Sequence, residues 1–336
     1  MIVSANLTAV ILGCAGPQLS ADEKQLFQRA NPVGFILFAR NIETPQQVSA
    51  LTQALRDTVG WRCPILIDQE GGRVARLAAP QWDEFPPALS MASGPDAQRG
   101  FWLRGRLIAD QLYGLGINVN CAPVLDIAAP DTHPILQNRC YGHTVGQVVR
   151  NARAFASGQA AGGILGVAKH IPGHGRATLD SHLALPTVDV PVPDLIAHDF
   201  KPFYACRDLP FGMTAHIRFT AIDPQNPATL SPDVIAAIRS EIKFGGFLMT
   251  DDISMKALTM PLKLRVERAL QAGCDTILHC NGDFNEMQSM LDYIPYLGVK
   301  AIDRLNIALS QSKIPAPVDI MALKEEFLAQ KTGGVY

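Results

Sequence analysis

The chain has 336 residues, 48% of them hydrophobic and 18% charged, with a formal net charge of −2. That length supports one large core or two modest ones, and so small a charge gives no electrostatic reason to expect nucleic acid or an anionic membrane as partner. Seven cysteines, at 14, 63, 121, 140, 206, 274 and 280, lie dispersed without a Cys-x-x-Cys pair, a pattern of reduced buried thiols rather than of a disulfide frame or a zinc ribbon.

The N-terminal apolar segment, residues 7–13, is too short to span a bilayer, and neither a basic leader nor an Ala-x-Ala cleavage site accompanies it. A soluble cytoplasmic protein is expected. Short apolar runs then recur at 8–13, 33–39, 64–68, 117–121, 164–169, 212–216, 246–251 and 276–280 and predict strands. Helical periodicity fills the intervals at 45–58, 96–115, 145–161, 232–241 and 262–272. Thr44-Pro45 and Ser231-Pro232 have the form of an N-cap followed by a proline in the first turn. Eight strands alternating with helices predict an α/β fold, a single (β/α)8 barrel over residues 1–312 with an appended tail at 313–336. The rival, an open doubly wound sheet, lacks its glycine fingerprint, because Gly13-Cys14-Ala15-Gly16 is too lax a match.

Polar residues fall at the ends of the predicted strands: Asp68 after the third, Asp126 beyond the fourth, Lys169-His170 at the fifth, His216 at the sixth, Asp251-Asp252 at the seventh and Asn281 at the eighth. In a barrel these positions converge on one mouth, where active sites lie. Asp251, at the end of a buried strand, suits a nucleophile or a stabiliser of positive charge. Asp252 reads instead as the cap of a helix beginning at once. Asp180, two residues before His182, can fix the imidazole tautomer and raise its basicity from ~6.5, as a general acid that later serves as base requires. His174, flanked by glycines, reads as a residue that shapes a turn. His170, His174 and His182 lack the spacing of zinc ligands, and Lys169 beside His170 disfavours a cation, so no metal is expected. The segment Asp68-Gln69-Glu70-Gly71-Gly72-Arg73-Val74-Ala75-Arg76 lacks the Lys-Ser/Thr of a phosphate loop. It fits recognition of sugar hydroxyls, an aspartate accepting and an arginine donating, with a plain Asp68–Arg73 ion pair as the alternative.

Asp68-Gln69-Glu70-Gly71-Gly72-Arg73, Lys169-His170-Ile171-Pro172-Gly173-His174-Gly175, Asp180-Ser181-His182 and Thr250-Asp251-Asp252-Ile253-Ser254-Met255, in this order, closely resemble glycoside hydrolase family 3, and within it the single-domain bacterial β-N-acetylglucosaminidases. The resemblance covers about residues 7–310. It implies that Asp251 is the nucleophile, that His182 is the acid/base on a mobile loop with Asp180 as its partner, and that Asp68, Arg76, Arg139, Lys169 and His170 bind N-acetylglucosamine. It further implies a retaining exo-hydrolase without cofactor or metal, acting as a monomer on a small carbohydrate, a muropeptide of peptidoglycan recycling. Departures from the family pattern are Ile171 in place of phenylalanine, Cys140 after Arg139, and a short segment between 255 and 270. A phosphorylase, a broader β-glycosidase, a substrate-assisted mechanism through Asp251-Asp252 and a catalytically silent muropeptide sensor are the competing readings.

Overall fold

The computed structural model describes residues 6–179 and 184–332. Eight parallel strands close into a barrel: β1 (Thr8–Gly13), β2 (Pro32–Leu37), β3 (Ile65–Ile67), β4 (Val119–Asn120), β5 (Leu165–Ile171), β6 (Phe211–Thr214), β7 (Phe247–Asp252) and β8 (Thr276–His279). Each pairs with its neighbours in sequence, and β8 returns to β1 with Val10 opposite Ile277. Strands buried on both faces read as unbroken apolar runs, which is why all eight were visible in the sequence.

Helices α1 (Ala21–Ala30), α2 (Pro45–Val59), α3 (Ala97–Gly114), α4 (Val145–Ala161), α5 (Pro232–Ser240), α6 (Leu262–Ala272), α7 (Phe284–Leu291) and α8 (Val299–Ser310) surround the barrel, and α9 (Ile320–Thr332) follows. The expected caps are in place. Thr44 accepts from the Gln47 N–H and Ser231 from the Val234 N–H, each with proline opening the helix. The wall between α3 and α4 is unusually tight. A Cβ on Gly105 would lie 2.2 Å from the Phe155 carbonyl, and one on Gly158 2.2 Å from the Trp102 carbonyl. Only glycine at both positions lets the two backbones meet.

Two features depart from the sequence reading. Thr187–Val188 and Arg218–Phe219 pair as a small second parallel sheet, built from the connections that follow β5 and β6. Two-residue strands carry no periodic signal. No helix begins at Asp252; the chain runs through turns to α6 at Leu262. Asp252 instead accepts from the Ser254 and Cys280 N–H groups, so its carboxylate ties β7 to the end of β8. The residues after 312 pack against the barrel wall, with Phe327 buried beneath α9.

At the opposite end of the barrel Asp275 accepts from Arg239, Arg304 and the Leu248 N–H at 2.7–3.0 Å. A satisfied buried carboxylate on the N-terminal face serves stability. All seven cysteines are free and buried, and no helix among the described residues is long and apolar enough to cross a membrane.

Candidate active site

The loop leaving β3 is organised by one buried amide. Gln69 accepts through its side-chain oxygen from the Arg76 and Leu77 N–H groups and donates to the Leu77 carbonyl, which folds residues 69–77 back on themselves. Asn120 of β4 holds the same residue by exchanging hydrogen bonds with its backbone. Asp68, Glu70 and Arg76 are thereby fixed at the C-terminal end of the barrel.

Asp68 accepts from Lys169 Nζ at 2.8 Å and from Arg76 at 3.2 Å. The expected alternative partner, Arg73, instead stands at the rim and donates to the Ile135 carbonyl. Lys169 also lies 2.6 Å from Glu70, whose two oxygens accept a bidentate pair from Arg139 at 2.8 and 2.9 Å. Arg139 in turn lies 3.4 Å from His170 Nε2. An arginine only donates, so Nε2 is the accepting nitrogen of that contact, and His170 Nδ1 donates to Asp126 at 2.7 Å. Asp126 also accepts the His174 N–H at 2.6 Å. The ends of three strands, β3, β4 and β5, are thus joined through one network of charges.

Across the cleft, Asp251 accepts the N–H of Asp252 at 2.8 Å. Asp68, Arg76, Arg139, Lys169, His170, His174 and Asp251 all line one cavity of about 410 Å³, edged by Phe38, Met213, Met255 and Leu278. Of the residues singled out in the sequence, the fold brings Asp68, Arg76, Arg139, Lys169, His170 and Asp251 together in this cleft. Asp180 and His182 lie outside the described residues. Asn281 faces away, holding the start of α7 through Glu286 and the Asp283 N–H. His216 is fully buried behind Asp251, bonded to Thr229 and to the Asp252 carbonyl, and does not line the cleft.

Burial alone would raise every carboxyl here, and the cationic neighbours reverse it. Lys169 and Arg76 hold Asp68 below the usual range, and Arg139 with Lys169 hold Glu70 far below it. For Asp251 the opposing groups are the His170 and His216 rings, the Asp252 N–H and Lys169, and its carboxyl is held low. Burial would also lower Lys169, but Asp68 and Glu70 outweigh it and keep the ammonium charged. His174 goes the other way: burial, then His170, push its imidazole down to about 4. Its Nδ1 and the Nε of Arg76 are buried without a hydrogen-bond partner among the described residues.

Glu70 and Asp126 were not among the predicted site residues. A signal for Glu70 existed: it stands two positions after Asp68 at a strand exit, the spacing that puts side chains on one side. Asp126 was read as a polar residue beyond the fourth strand, but its role was not, since its partner His170 is 44 residues away.

A closed parallel barrel carrying this cleft of ionised carboxylates and cations at its C-terminal mouth is a (β/α)8-barrel enzyme. Residues 5–315 match the glycosyl hydrolase family 3 N-terminal domain. A beta-hexosaminidase of Idiomarina loihiensis is 32% identical over 316 residues, covering 91% of this chain and 94% of the relative. The crystal structure of NagZ from Neisseria gonorrhoeae in complex with N-trifluoroacetyl-D-glucosamine superposes with a TM-score of 0.84 at 26% identity, covering 98% and 97% of the two chains. A family 3 β-N-acetylglucosaminidase from Paenibacillus superposes with a TM-score of 0.79 at 29% identity; the alignment covers 96% of this chain and 62% of the longer Paenibacillus one. The chain belongs to glycosyl hydrolase family 3 and is a glycoside hydrolase of the β-N-acetylhexosaminidase type.

Proposed function

We propose that the enzyme is a retaining exo-β-N-acetylglucosaminidase that removes terminal non-reducing N-acetylglucosamine from cytoplasmic muropeptides, N-acetylglucosaminyl-1,6-anhydro-N-acetylmuramic acid with or without peptide. The observation that carries the reading is the Asp251 carboxylate, held low in a cleft whose facing wall presents Asp68, Arg76, Arg139, Lys169 and His170. Carboxylate acceptors set beside arginine and lysine donors suit a neutral ligand rich in hydroxyls. The orphan Arg76 Nε supports the same wall as a ligand-binding surface, as does the amino-sugar bound to the N. gonorrhoeae relative.

In this mechanism an Asp251 oxygen bonds to the anomeric carbon as the bond to the leaving oxygen breaks, and His182 gives its proton to that oxygen. Water then attacks the same carbon, passes a proton back to His182, and the electron pair of the aspartyl bond returns to Asp251. Asp180 stabilises the imidazolium form. The motif Asp180-Ser181-His182 supports these two roles. Asp68, Lys169 and His170 hold the sugar while its ring flattens.

Asp251→Ala is expected to lower kcat at least about 10³-fold towards an aryl β-N-acetylglucosaminide, while the 2-fluoro glycosyl donor labels a peptide containing Asp251 in the parent enzyme. Full activity in Asp251→Ala, or label on another residue, would remove the covalent reading. Product analysis with and without phosphate separates hydrolysis from phosphorolysis. Assays on aryl β-glucosides and on purified muropeptides set the substrate range.

A further inference from the structure

The family match ends at residue 315, before α9 begins. That helix nevertheless makes three separate attachments on the side of the barrel that carries the β3 loop. Phe327 is 3% exposed and packs its ring against Phe85, centroids 5.5 Å apart. Lys324 Nζ lies 2.6 Å from Asp83. Glu326 receives both donors of Arg99 on α3 at 2.7 Å. Two of these three contacts fall on residues 83–85, a stretch with no regular structure of its own.

That stretch is the backing of the candidate subsite. The Phe85 carbonyl accepts the Gly72 N–H at 2.8 Å, and the next carbonyl, Pro86, accepts from Arg104, which also donates to the Glu70 carbonyl. A Cβ on Gly71 would come within 2.9 Å of Phe85 Cβ, and one on Gly72 within 3.0 Å of Pro87 Cα. Both glycines have positive φ, 94° and 59°. The turn that carries Asp68, Glu70, Arg73 and Arg76 thus lies against residues 85–87, with the Arg104 guanidinium bridging the two.

We infer that Phe327 is a positioning residue: α9 clamps residues 83–87 against Gly71-Gly72 and so holds Asp68 and Arg76 in the geometry that receives the sugar. The inference rests on the proposed role of Asp68 and Arg76 in binding. The clamp acts on the cation-and-carboxylate wall and does not reach Asp251, which β7 carries on the other side of the cleft. Loss of the clamp therefore weakens binding more than it slows chemistry.

The test uses the full-length enzyme with Phe327→Ala, which opens a cavity under α9, and Phe327→Leu, which largely refills it. In Phe327→Ala, amide hydrogen exchange at Gly72 is expected to quicken at least about 10-fold relative to the β1 and β8 amides, with KM raised about 3- to 10-fold and kcat within about twofold. Phe327→Leu is expected to restore both. A lowered Tm with unchanged exchange at Gly72 and unchanged KM would overturn the clamp and leave α9 as a stabilising cover. An Asp68→Asn variant assayed in parallel separates the two failures. If KM does not move in Asp68→Asn, the proposed subsite fails, and exchange alone decides the clamp. If KM rises in Asp68→Asn but not in Phe327→Ala, the clamp fails.

Discussion

Lys169 has its ammonium 2.8 Å from Asp68 and 2.6 Å from Glu70, with its side chain 2% exposed. A lysine so buried stays charged only because two carboxylates face it, and removing either leaves an uncompensated charge. Glu70 is the more consequential of the two, since it alone also holds Arg139 by both oxygens. Glu70→Gln keeps the shape but turns an amide N–H₂ towards Arg139 or Lys169, donor against donor. Its kcat/KM is expected to fall about 10- to 100-fold, chiefly through KM, because the arms that face the sugar lose their anchor. Steady-state kinetics beside a thermal melt check this; a lowered Tm with unchanged KM would make Glu70 a stabilising residue only. Asp68 and Lys169 were readable as site residues because they end apolar runs. Glu70 was not singled out, because its importance lies in two partners distant in sequence, Lys169 and Arg139, 99 and 69 positions away by number.

At the scale of elements, α3 and α4 touch through Gly105 and Gly158, each placed against the other helix's backbone. Helix propensity favours alanine over glycine by about 1 kcal/mol in a helix interior. Here the added methyl meets a carbonyl oxygen at 2.2 Å and, for Gly158, the Arg106 nitrogen at 2.8 Å. Backbone cannot rotate away as a side chain can, so the overpacking cost, about 1–3 kcal/mol or more, exceeds the propensity gain. Gly158→Ala is expected to destabilise the fold by about 2 kcal/mol net in urea unfolding while KM and kcat of the folded enzyme stay as they were. A stabilised variant would mean that the two helices separate without cost. The pattern that predicted both helices, apolar periodicity with caps, says nothing of this contact.

For the molecule as a whole, acid sensitivity follows from what the barrel buries. His174, brought down to about 4 from an ordinary 6.5 by burial, is neutral in the fold and binds a proton more readily in the unfolded chain. Stability therefore falls as pH drops from about 6.5 towards 4, by about 3 kcal/mol from this residue if no relaxation intervenes. His216, also lowered by burial, acts in the same direction. Glu70 and Asp68 are lowered as well, but by their cationic neighbours against burial, so that for them the fold favours the charged form. Their contribution is complete above their ordinary values, 4.5 and 3.8, and is lost only as pH falls through the depressed folded values. Unfolding free energies measured by urea between pH 7 and pH 4 are expected to decline, and His174→Asn is expected to flatten part of that slope. An unchanged slope in the variant would assign the acid sensitivity to other groups.

Sequence alone determined the barrel, its strand positions and six of the residues that meet in the cleft. Those signals are local, an apolar run buried on both faces, a cap before a proline, a charge placed where a strand must stop, except for Arg139, which came from the family resemblance. The tertiary structure decided the rest. It pairs Asp68 with Lys169 and Arg76 rather than Arg73, recruits Glu70 and Asp126 as supports, retires His216 and Asn281 from the cleft, and brings α9 to the back of the β3 loop. Apart from Asp68 and Arg76, which are eight residues apart, these are contacts between groups distant in sequence, set by barrel closure and by which buried charges can satisfy one another. No short window of sequence contains both partners of those distant pairs, so the closed fold reveals them.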